Sequence, residues 1–80
     1  MVRLTDIERG KQVKIIALEG DSRYMTRLNQ SGLYPGDLAK VVRIAPFDGP
    51  VLLEVCGMEI ALGKSFAERI LVEVVPCVSL

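Results

Sequence analysis

Leu38-Ala39-Lys40-Val41-Val42-Arg43-Ile44, then Ala45-Pro46-Phe47-Asp48-Gly49-Pro50, then Val51-Leu52-Leu53-Glu54-Val55 is the stretch that decides the fold. Its first seven residues run with period two. Leu38, Lys40, Val42 and Ile44 share one face, and Ala39, Val41 and Arg43 share the other, the pattern of a half-buried strand. The hexapeptide that follows holds two prolines, which cannot donate to a ladder, so it is a turn. Val51, Leu53 and Val55 resume the alternation. Beyond Gly57, Met58, Ile60 and Leu62 alternate with Glu59 and Ala61, which supplies a hairpin partner for 51–55.

Upstream of this core lies the one convincing helix. Asp21 can accept the free N–H groups of a first turn, Tyr24, Met25 and Leu28 fall on one face, and Gly32 stops the helix at the C′ position. The expected span is about residues 22–31, with Leu33 folding back on the last turn and Pro35-Gly36 forbidding continuation. Before the helix, the β-branched run from Gln12 to Glu19 predicts a strand ended by Gly20. The opening has the spacing of a capping box at Thr5 and Glu8, with Leu4 as an apolar staple and Gly10 ending one helical turn. Ser65 and Glu68 repeat that spacing around Phe66-Ala67, and Ile70, Val72 and Val74 make a last strand before Pro76. Five short strands with one inserted helix predict a mainly β fold, a small closed barrel of SH3-like type. The expectation is one domain over residues 1–80, with a core from about 4 to 75.

Composition narrows the function. Half of the residues are hydrophobic and the mean hydropathy is +0.35, more than so small a barrel can bury. Grouped spare apolar surface marks a contact site and favours weak self-association. Ten basic and ten acidic residues cancel, and pairs such as Arg23 with Arg27 and Lys40 with Arg43 are scattered, so no stripe for nucleic acid is present. Glu54, Glu59 and Glu73 interrupt the apolar stretches, which excludes a membrane-spanning run, and the N-terminus lacks the apolar region of a signal peptide. A cytoplasmic chain with reduced thiols follows as the expectation.

Chemistry is sparse. The chain has no histidine, its carboxylates are spread along separate strands and turns, and no nucleophile has a base beside it. An enzyme is not expected, and neither is a cofactor. The segment Gly57–Ser65 imitates a phosphate-binding loop but has five residues between its glycines where such a loop has four, and it alternates like a strand. Cys56 and Cys77 form no short-spaced pair. Together with Glu54 or Glu59 they allow a weak transition-metal module, but Cys56, ending a strand, is expected to be a small buried hydrophobe.

Taken in order, Arg27-Leu28, Gly32-Leu33, Pro35-Gly36, Val41-Val42-Arg43-Ile44-Ala45-Pro46-Phe47-Asp48-Gly49-Pro50, Ile60-Ala61-Leu62 and Ile70-Leu71-Val72-Glu73 resemble ferrous iron transport protein A (FeoA). The resemblance covers about residues 4–77. It implies a cytoplasmic SH3-like domain that supports ferrous iron uptake by docking onto FeoB, a membrane transporter with a GTP-binding domain. The same fold is known as the C-terminal domain of iron-dependent repressors, which is the alternative. One position departs from the family: Gly63 precedes Lys64 where a basic residue commonly follows the Ile-Ala-Leu strand.

The expected partner surface is the helix-to-turn region with a neighbouring Phe47 loop. It comprises Tyr24, Leu33, Tyr34 and Phe47, with Arg43 acting on association through charge. Aromatics on turns have little core to fill and serve as binding anchors. Leu33 has the competing role of closing the barrel, and no metal ligands are assigned.

Overall fold

The computed structural model describes residues 1–76, so Cys77 lies outside the described residues. The strands form where the alternation predicts them. In chain order the elements are β1 (Val2–Arg3), a 3-10 turn (Leu4–Asp6), β2 (Gln12–Leu18), α1 (Ser22–Gln30), β3 (Leu38–Ile44), β4 (Val51–Val55), β5 (Met58–Leu62), α2 (Lys64–Ala67) and β6 (Ile70–Val75). All pairings are antiparallel, and the sheet order is β1-β6-β2-β3-β4-β5.

Two-residue β1 is a sixth strand beyond the five expected. It is too short to show alternation, and its place comes from pairing Val2 with Val72 and Arg3 with Leu71. Arg3 also reaches the Glu68 carbonyl at 2.6 Å and the Glu19 carboxylate at 2.8 Å. Among the described residues β1 and β5 are the two edges and do not pair, so no ladder joins the two edges of the sheet.

Val13, Ile15, Ala39, Val41, Val51, Leu53, Val55, Leu62, Ile70 and Val72 point inward from the strands. Leu4, Ile7, Leu28, Leu33, Phe66 and Ala67, from the helices and loops, complete this core. On β3 the buried face is that of Ala39 and Val41. A register shift between Val41 and Arg43 then breaks the strict alternation, so Ile44 returns to the level of buried Val51 while itself remaining partly exposed.

α1 starts and stops as its sequence predicts. Asp21 accepts the Arg23 N–H at 3.0 Å. At the other end Gly32, at φ 94, donates to the Asn29 carbonyl, and Leu33 donates to the Leu28 carbonyl. That is the Schellman pattern, and it brings Leu33 back over Leu28 with both side chains fully buried. Neither expected capping box forms. The N-cap of the 3-10 turn is Arg3, and that of α2 is Gly63, each without a side-chain bond. Both short helices start before the residue that was to cap them, because burial of Leu4 and of Phe66-Ala67 sets their register.

Candidate functional site

The Pro46–Gly49 turn is closed by Gly49 N–H to the Pro46 carbonyl at 3.2 Å and flanked by Ala45 N–H to the Pro50 carbonyl at 3.0 Å. Phe47 and Asp48 both sit in the left-handed region, at φ 57 and 62, the geometry of a tight hairpin turn that side-chain-bearing residues rarely adopt. Gly49 is obligatory for a different reason: a Cβ there would lie 2.6 Å from the Ala45 Cβ. The result is a phenylalanine 99% exposed at the tip of a tight turn.

α2 fastens this tip to the rest of the molecule. Lys64 Nζ donates to Asp48 Oδ1 at 2.6 Å, which lowers the Asp48 carboxyl below the usual carboxylate range and raises the Lys64 ammonium. Asp48, Gly63, Lys64, Ser65 and Glu68 line an open cleft of about 540 Å³ beneath the turn. Two residues further along α2, Phe66 is buried. Tyr24 tilts toward it with ring centroids 6.3 Å apart, and the Arg27 guanidinium lies 5.2 Å from its centroid. Arg69 covers the Tyr24 ring at 4.3 Å. Cations stacked on aromatic faces in this way hold their side chains in place at the surface.

Of the expected surface residues, the structure therefore brings Tyr24 and the Phe47 loop to α2 from two sides. Arg43 is exposed two residues before the loop. Tyr34 is 53% exposed but stands at the opposite end of β3, on the order of 20 Å along the strand. It belongs to a separate turn in which its N–H donates to Asp37 Oδ2 at 2.9 Å, with Gly36 bonded to the Ile15 carbonyl. The two aromatic loops do not neighbour one another. Leu33 is no surface anchor at all, since the Schellman turn drives it fully into the core. Cys56 is likewise not buried. It occupies the two-residue β4–β5 turn at φ 52, beside Gly57, and is exposed. Glu54 and Glu59 are cross-strand partners below it, and no group of three metal-ligating side chains occurs among the described residues.

Lys64, Asp48, Arg27 and Arg69 escaped the sequence reading of the surface. Their contacts span 16 to 45 positions in the chain, so no local spacing signals them; the shift of the basic residue from 63 to 64 was the one visible trace.

A family model for the FeoA domain matches residues 2–74. The chain belongs to the FeoA domain family. The domain is 28% identical over 74 residues to an Fe(2+) transport protein A/Fe(2+) transporter FeoB fusion protein of Porphyromonas gingivalis, covering 92% of this chain and 9% of that one. The NMR structure of a FeoA-like protein from Clostridium acetobutylicum superposes with a TM-score of 0.82 at 28% identity, covering 99% of this chain and 92% of the other. The manganese-activated repressor ScaR in its apo form superposes at 0.84 with 24% identity, over 92% of this chain and 35% of that one, a likeness of fold. The chain shares with both solved structures the SH3-like sheet that its own sequence predicts.

Proposed function

We propose that this FeoA domain is an accessory protein of ferrous iron uptake that docks onto a FeoB-type transporter through the Phe47 turn and α2. The observation that carries it is the fusion relative, in which a domain of this kind and a FeoB transporter are one polypeptide. A covalent link raises the effective concentration of two modules to the millimolar range, so a small contact suffices to hold them together. Phe47 suits such a contact. It is an aromatic with two χ angles to immobilise, standing on a tight turn beside the Asp48–Lys64 pair. Arg27 and Arg69, stacked on the Phe66 and Tyr24 rings, favour an acidic border on the transporter.

The domain acts in this proposal without chemistry of its own, on the cytoplasmic side where FeoB carries its GTP-binding domain. No described helix is long and apolar enough to cross a membrane. Nucleotide is left to the partner, because residues 58–62 run extended along β4 and do not curl their N–H groups around a phosphate. The test is equilibrium binding of the chain to the cytoplasmic portion of a FeoB-type transporter. Phe47→Ala is expected to weaken binding by about 1–3 kcal/mol with an unchanged thermal melt. Unchanged binding by that variant sinks the surface, and no binding by the unaltered chain sinks the partner.

A further inference from the structure

β5 has features that the docking surface does not use. It is a five-residue edge strand, Met58-Glu59-Ile60-Ala61-Leu62, with no proline, lysine or bulge, the devices by which edges ordinarily refuse new partners. Both register shifts in the sheet fall between inner strands. At the other edge β1 is only two residues long.

The hairpin sets which groups of β5 face outward. Val55 and Met58 close a two-residue turn and so exchange both hydrogen bonds, as do Leu53 with Ile60 and Val51 with Leu62. The N–H and C=O groups of Glu59 and Ala61 therefore point away from β4. Both residues are exposed, and neither backbone joins another segment among the described residues.

We propose that β5 pairs with β5 of a second copy of this chain, antiparallel and centred on Ile60. In that register Glu59 of each copy exchanges both hydrogen bonds with Ala61 of the other, four bonds in all, while Ile60 meets Ile60 as the non-bonded pair that a two-fold axis allows. Met58, 61% exposed, comes beside Leu62 of the second copy, so three apolar pairs continue the inward face across the interface. Each Glu59 lies next to an alanine and not another glutamate. The alternatives are poorer. Centring on Glu59 sets two carboxylates face to face, and centring on Ala61 leaves Met58 without a partner. Self-complementarity under a two-fold is what selects a second copy as occupant.

The test is sedimentation of the whole chain from roughly 10 µM to 1 mM, where small interfaces associate. A monomer–dimer equilibrium is expected in this range. Ala61→Lys faces Glu59 of the other copy twice and should tighten the dimer at least about threefold, whereas Ala61→Glu should loosen it by a similar factor. Ala61→Pro removes only an outward N–H, so the monomer's melt should hold while dimerisation falls by about tenfold or more. A chain that stays monomeric throughout overturns the proposal. So do Lys and Glu variants that shift the equilibrium alike, or a dimer that survives Ala61→Pro.

Discussion

Phe47 is unfavourable to the free molecule on two counts, a left-handed backbone and a ring left in water. A left-handed, non-glycine residue costs about 1 kcal/mol or more. Asn tolerates that backbone, so Phe47→Asn should stabilise the isolated domain by about 0.5–1 kcal/mol while weakening transporter binding. Opposite signs in the thermal melt and the binding titration would confirm that the ring is retained for contact; a loss of stability would show that it packs. Asp48 offers a second test at this scale. Its carboxyl is lowered by Lys64, so the pair's stabilisation is present above the ordinary carboxylate pKa near 3.8 and disappears as pH falls through the lower folded value. Lys64 is raised above 10.5, and its share is present below that pH and is lost as pH rises through the folded value. The melting difference between wild type and Asp48→Asn should thus be flat across neutral pH and vanish in strong acid. An exposed pair contributes little, so the effect should also shrink with salt.

At the scale of elements, α1 and the β4–β5 hairpin were legible because their signals are local. Asp21, Gly32 and Leu33 sit within a turn of the helix they delimit, and Cys56-Gly57 sits between the strands it joins. Gly32→Ala should cost about 1 kcal/mol through backbone strain, since the nearest atom to an added Cβ, Ile60 Cδ1, is 3.9 Å away and leaves room for it. A chemical denaturation midpoint measures this directly, and no change would mean that the C′ geometry is not needed. The two capping boxes failed for the converse reason. Their spacing is local, but the start of a four-residue helix is decided by which of its side chains the core takes, here Phe66 and Ala67.

For the whole molecule, the buried side chains form one cluster from Leu4 to Val72, with no second core among the described residues to unfold separately. Residues 1–80 should therefore melt as one cooperative unit, with calorimetric and van't Hoff enthalpies in agreement. Leu53, fully buried at the centre of β4, should lose about 2–5 kcal/mol on change to Ala, a large part of what so small a domain has. Two resolved transitions in the melt would argue against the single core.

Sequence alone determined the β-rich class, α1 with its caps, the positions of β2 to β6, the left-over apolar surface and the family resemblance. These follow from period, glycine and proline placement, and total apolar content, all properties of neighbouring residues or of composition. Only the tertiary structure decided that Leu33 is core, that Cys56 is exposed, that Tyr34 and Phe47 occupy opposite ends of β3, and that α2 touches both Asp48 of the Phe47 turn and Tyr24. Each of these depends on which distant segment arrives alongside. The Asp48–Lys64 pair, the Arg69–Tyr24 stack and the β1–β6 pairing join residues 16, 45 and about 70 positions apart, and they exist because the sheet curls around one core.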